Sequence, residues 1–251
     1  EEGKHLIEAK YGRLIDKPTP GRGTYPETSF SNKKNVSAKI GYTPMVIWGY
    51  KTVGVGHEDE FALDFFSELL SNSMNTGLLD KINLDGDVQM SAAMLDSRRD
   101  RGRFLIQAVP YYDSNQRRYH SNKATEKVIM QQVEKLLSGD IDDWLMNSVR
   151  NSKLRQHELL HESSSAKTSI LRTLFTYNLE DDYFTKMPDK IKSITKDEVV
   201  KTAQKYLSED HILISIEPGS PKKDKLNKPD IKPIEQPKGK SSEYAEYLKN
   251  I

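Results

Sequence analysis

Between residues 57 and 73 the apolar side chains fall in adjacent pairs four residues apart: Phe61/Ala62, Phe65/Phe66 and Leu69/Leu70. Pairs at that spacing widen a helix's apolar stripe beyond a single row, so this helix must be covered by other elements. It reads as core packing rather than a binding device.

The covering elements can be read on either side of it. Strands are predicted at Asn35 to Gly41 and Pro44 to Gly54, the second carrying Met45-Val46-Ile47-Trp48. Two more, Val88 to Leu95 and Arg103 to Tyr111, flank a charged turn at Ser97 to Arg101, and a short helix from Thr76 to Ile82 precedes them. Further on the pattern is helical: Ser121 to Leu137, one long helix from Ile141 to Phe175, and Asp181 to Ile194. Thr195 and Glu198 form a capping box opening another helix. A last strand, His211 to Ile216, ends at Pro218-Gly219. This order predicts an α+β fold, a two-layer sandwich with a mostly antiparallel sheet and helices on one face.

The two ends differ in kind. Leu6, Ile7, Tyr11 and Leu14 mark a helix stripe with no capping residue before it, as expected of a chain that continues a longer polypeptide. A turn-rich stretch follows from Lys17 to Thr28. After Glu217, Pro218, Pro221, Pro229, Pro233 and Pro237 alternate with lysines and almost no apolar periodicity, which predicts a linker. The expected division is therefore 1–14, the end of a preceding domain's last helix; 15–34, a loop; 35–218, one domain; and 219–251, a Pro/Lys-rich connector.

Charge and cysteine content narrow the chemistry. With 38 basic and 37 acidic residues, a net charge of +1 gives no electrostatic reason to expect nucleic acid or an anionic membrane as partner. No apolar run reaches the roughly 20 residues of a membrane span, and Glu1, Glu2 and Lys4 do not read as a signal peptide. The chain has no cysteine, so disulfides, thiol catalysis and thiolate metal sites are excluded, and a metal would need His, Asp or Glu. There is no P-loop after Val53-Gly54-Val55-Gly56 and no Gly-x-Ser-x-Gly elbow.

Among the histidines, His157-Glu158-Leu159-Leu160-His161 matches a zincin signature, two histidines at i and i+4 with a glutamate between them. Glu180 is placed where a third ligand could come from, and these four residues define one alternative, an independent zincin. Advancing about 100° per residue from Ile141, however, Leu145, Val149, Leu160 and Leu174 cluster, and His157 and His161 fall away from them. They are expected to face solvent or another domain, and to bind no catalytic metal. His57, ahead of Glu58-Asp59-Glu60, reads as part of a helix start; His5, His120 and His211 are isolated.

The order of segments resembles the pitrilysin/insulinase-type zinc peptidases, the inverzincins. Leu6 to Leu14 is similar to a helix that finishes one domain of that family. Val46-Ile47-Trp48-Gly49-Tyr50 with His57 to Asp64 resembles the first strand and helix of the next, and Leu69 to Ser73 and Gly102 to Ile106 its following turn and central strand. Ile194 to Val200, Lys205-Tyr206-Leu207 and Ile214 to Pro218 resemble its closing run, so the likeness covers roughly residues 1–218. The resemblance implies the non-catalytic second domain of an N-terminal half, shaping a chamber that closes around peptide. Zinc would belong to the parent enzyme, held by a His-x-x-Glu-His site in an upstream domain, an order absent here. Catalytic and metal residues in this chain are then none, and the residues that meet substrate are not identified. Gly77 and Met90 stand where active members carry a substrate-holding Arg and Tyr. The implied partners are the catalytic domain of the same polypeptide and a peptide substrate, or, for an inactive relative, an assembly it scaffolds. The implied location is bacterial, periplasmic or cell-envelope.

Overall fold

The computed structural model describes residues 2–14, 17, 31–208, 210–221 and 242–249. In chain order its elements are α1 (Glu2–Tyr11), β1 (Lys34–Lys39), β2 (Met45–Val53), α2 (Glu60–Leu70), α3 (Leu78–Leu84), β3 (Val88–Ser97) and β4 (Arg101–Pro110). There follow β5 (Tyr112–Asp113), β6 (Arg118–Tyr119), α4 (Asn122–Leu137), α5 (Asp143–Leu159), α6 (Ser164–Tyr177), α7 (Met187–Ser193), α8 (Lys196–Tyr206), β7 (His211–Glu217) and α9 (Glu243–Lys249).

The expected α+β sandwich is what forms. One sheet runs in the order β1-β7-β2-β4-β3, antiparallel at every pairing except β1 with β7, which is parallel. Side chains alternate across it, as strand geometry requires. Val46, Trp48, Tyr50 and Thr52 of β2 and Phe104, Ile106 and Ala108 of β4 are buried beneath the helices. Ile47, Lys51, Arg103, Leu105, Ile212 and Ile214 line a concavity on the opposite face.

The helix layer is built on α2. Leu63, Phe65, Phe66, Leu69 and Leu70 have no exposed surface, and the Phe66 ring meets Phe104 of the sheet at 5.9 Å between centroids. Ile129, Val133 and Leu136 of α4 and Val199 and Ala203 of α8 are equally buried in the same core. The turn after α2 is tied by one carboxylate: buried Asp80 accepts from the Ser71 hydroxyl at 3.0 Å and from the Asn72 and Gly77 N–H groups, each at 2.9 Å. Thr195 and Glu198 close the predicted capping box, Glu198 Oε2 accepting from Thr195 N at 2.8 Å.

Four features differ from the sequence reading. The long helix expected from Ile141 to Phe175 is two, α5 and α6, because Ser163 starts a new one with its hydroxyl accepting from Ala166 N at 3.1 Å. The helix expected from Asp181 begins at Met187, after a run of turns. The short hairpin β5–β6 lies where none was read, clasped by Tyr112 and Tyr119 with ring centroids 4.9 Å apart. The tail read as a linker carries α9. The turn-rich stretch from Lys17 to Thr28 lies, Lys17 aside, outside the described residues.

Burial separates two phenylalanines sharply, and stability measurements can check it. Phe66→Ala is expected to cost roughly 3–5 kcal/mol in urea unfolding. Phe175→Ala, on a side chain 89% exposed, should stay within about 0.5 kcal/mol.

Candidate functional site

The first turns of α2, the C-terminal half of α5 and the return from Tyr183 to Ile191 enclose a groove of about 490 Å³, within the usual range for ligand pockets. Its walls are largely apolar: Val55, Phe61, Leu95, Leu160, Phe184, Met187 and Ile191. The same lining includes Glu60, Asp64, Lys153, Gln156, His157 and Tyr183. The helix geometry explains the placement. Leu145, Val149 and Lys153 are buried at successive steps of four along α5, and His157 is the next step in that row.

Two carboxylates share one ammonium here, and a third stands apart from it. Lys153, only 9% exposed, places Nζ 2.6 Å from Asp64 Oδ2 and 3.6 Å from Glu68 Oε1. Burial raises the Glu68 carboxyl above the ordinary range, and Lys153 works against that rise. Glu60 Oε2 accepts from the Gly56 N–H at 2.6 Å and the Tyr183 hydroxyl at 3.3 Å. Burial raises Glu60 too, and the neighbouring Asp64 carboxylate adds to the rise, while hydrogen bonds from the Gly56 N–H, Ser97 and Tyr183 work against it. Burial likewise raises the Tyr183 phenol, next to Glu60, so that hydroxyl is a donor at neutral pH.

The zincin signature does not assemble a zinc site. The helix carrying His157 ends at Leu159, and His161 sits in the following turn, its N–H reaching Glu158 O at 3.1 Å. The two rings meet edge to face at 5.1 Å. His157 Nε2 lies 2.8 Å from the Phe184 carbonyl oxygen, so the chain returning from Tyr183 covers His157 where the wheel predicted solvent or another domain. His161 is exposed. Glu180 is 86% exposed, with its carboxylate 3.8 Å from Lys186 Nζ. Among the described residues, no group of three or more His, Asp or Glu side chains is arranged to hold a metal.

The remaining positions singled out in the sequence lie apart. Gly77 caps α3, and a Cβ there would come within 2.3 Å of the Leu70 carbonyl oxygen, so an arginine does not fit this backbone. Met90 is 43% exposed on β3, a strand at the sheet edge. His57 Nδ1 accepts from the Asp59 N–H at 3.1 Å in the turn before α2. His120 packs on Tyr111 and His211 on Tyr50, at 5.3 and 5.1 Å between rings. Periodicity missed Lys153 and Tyr183, since it searches for apolar side chains; the one available signal was the row of four from Leu145 through Val149.

The raised carboxyl of Glu60 has a testable sign. The folded state holds that proton to higher pH than the unfolded chain, whose value is the usual 4.5. Stability is therefore lost as pH rises from 4.5 through the folded value, and the cost is fully present above it. Urea unfolding of Glu60→Gln, compared with wild type across pH 4 to 8, should show the variant relatively more stable at neutral pH than in acid. Parallel pH curves would contradict the assignment.

Comparison with known proteins places this geometry. The family described as Peptidase M16 inactive domain matches residues 1–153. A protease from Helicobacter pylori is similar with a TM-score of 0.76 and 18% identity, over 86% of this chain and 52% of that one. A putative zinc protease from Bordetella pertussis is similar at 0.59 and 17%, over 71% of this chain and 96% of that one. The periplasmic protease PqqL from Escherichia coli is similar at 0.62 and 15%, over 87% of this chain and 24% of that one. This chain thus spans about half the length of the Helicobacter protein. No curated protein matches it. Matched by that model over more than half of its residues, the chain belongs to the peptidase M16 inactive domain family.

Proposed function

We propose that this chain is the non-catalytic domain that follows a catalytic one in the N-terminal half of a pitrilysin/insulinase-type zinc metalloendopeptidase. In this reading residues 1–14 finish the preceding domain, 15–34 form the loop between them, 35–218 are the inactive domain and 219–251 lead onward. The domain walls a chamber in which the parent enzyme cleaves peptides or unfolded proteins, and the zinc and its His-x-x-Glu-His ligands belong to the preceding domain. The observation that carries this reading is the match of residues 1–153 to an inactive peptidase family. A half-length match to the Helicobacter protein supports a larger parent. The periplasmic relative supports a periplasmic or envelope location in a bacterium. No helix among the described residues is long and apolar enough to cross a membrane.

His157, Glu158 and His161 take no catalytic part in this scheme. The purified chain should contain far less than one zinc per molecule by elemental analysis, unchanged in His161→Ala, and should leave a quenched fluorescent peptide uncleaved. Joined to the domain encoded upstream of it, the same chain should yield chelator-sensitive cleavage. Stoichiometric zinc that disappears in His161→Ala, or cleavage by the chain alone that a chelator stops, would overturn the proposal in favour of an independent zincin.

A further inference from the structure

The groove between α2, α5 and the Tyr183–Ile191 return has a charge distribution that its own residues leave unbalanced. Lys153 is committed to Asp64 and Glu68, at 2.6 and 3.6 Å. Glu60 is half-buried at the same groove and held in place by the Gly56 N–H and the Tyr183 hydroxyl, both neutral. A carboxylate kept in a partly dry site gains most from a cation that brings its own hydrogen-bond donors. The space beside it is walled by Phe61, Leu160, Phe184 and Met187. Such walls suit a flexible aliphatic stem rather than a compact hydrated ion, and a long basic side chain buries its stem in this way while its head stays polar.

We propose that this groove binds the basic side chain of an extended peptide, arginine or lysine, with its head on Glu60 and its stem along Phe61, Leu160 and Met187. Arginine is the better fit, because a planar guanidinium meets a carboxylate through two donors and stacks on aromatic rings, and Tyr183 and Phe184 both line the groove. The inference does not need the peptidase reading: the site follows from this chain's own side chains, and a binding measurement tests it without any catalytic partner.

The test uses the whole chain, carrying carbon-13 methyl labels on its methionines, with the Met187 resonance assigned through Met187→Leu. The probe is an acetylated, amidated pentapeptide, Ala-Leu-Arg-Leu-Ala, set against the same peptide with citrulline, a neutral near-isostere, in place of arginine. The Met187 resonance is expected to move saturably with the arginine peptide. Binding should weaken about tenfold or more with citrulline, and by a similar factor in Glu60→Gln, as befits the loss of a charge-assisted hydrogen bond. Free agmatine, which carries the guanidinium without a peptide, should bind more weakly than the arginine peptide. Equal affinity for the citrulline peptide, an unmoved Met187, or binding indifferent to Glu60→Gln would each overturn the proposal, as would agmatine binding as well as the peptide. Should Glu60→Gln fail to fold, Leu160→Arg supplies a second test. It sets a guanidinium at the groove wall in cis, so Met187 should be shifted at the outset and deaf to added peptide; a Leu160→Arg chain that responds like wild type would refute the site.

Discussion

Helix α2 presents side chains with no exposed surface around much of its circumference, and a sheet can cover only one side of a cylinder. Phe66 turns to Phe104 of the sheet, and the helices α8, α5 and α4 also pack against α2. That requirement draws in α8 with Val199 and Ala203, α4 with Ile129 and Val133, and α5 with Leu145 and Val149. The same requirement creates the groove. The polar positions of α2, Glu60, Asp64 and Glu68, are carried down with the helix toward α5, where a carboxylate needs either water or a cation. Lys153 answers two of them, and Glu60 is left with neutral donors.

Much of this was legible beforehand, for physical reasons that differ by element. The α2 pairs, the alternating Val46-Ile47-Trp48 strand and the Thr195/Glu198 box are local patterns, and each forms as read. The break between α5 and α6 was not legible, because Leu160, Leu171 and Leu174 prolong the stripe in the sequence. Leu171 is in fact 67% exposed, and the serines at 163–165 offer a cap that competes with the continuing helix. Lys153 escaped because its burial depends on carboxylates roughly 90 positions earlier in the chain, a non-local fact no periodicity contains. His157 was misplaced for a related reason: the segment that covers it, around Phe184, returns from beyond the helix and does not belong to the wheel.

The zincin pentapeptide illustrates what a short signature leaves out. Its chemistry needs one continuous helix, free ring nitrogens and a third ligand. Here the helix stops between the two histidines, one ring nitrogen lies against a main-chain carbonyl, and Glu180 points to Lys186. Letters at the right spacing encode a site only where the backbone keeps that spacing in three dimensions.

The parallel pairing of β1 with β7 has a consequence for how the polypeptide is made. By residue 110 the chain holds β2, α2 and the β3–β4 hairpin, so β4 can pair with β3 locally and with β2 over a longer separation. The edge of β2 that receives β7 must wait for residues 211–217, and β1, which pairs with β7, waits with it. At ribosomal speeds of about 5–20 residues per second, that interval lasts roughly 5–20 s. Throughout it the nascent chain carries an unpaired strand edge over a partly built core, the state most open to wrong pairing with another chain. The last strand therefore acts as the seal of the fold, and a nascent chain halted before it, as by a premature stop codon, is a natural client for chaperones and proteases.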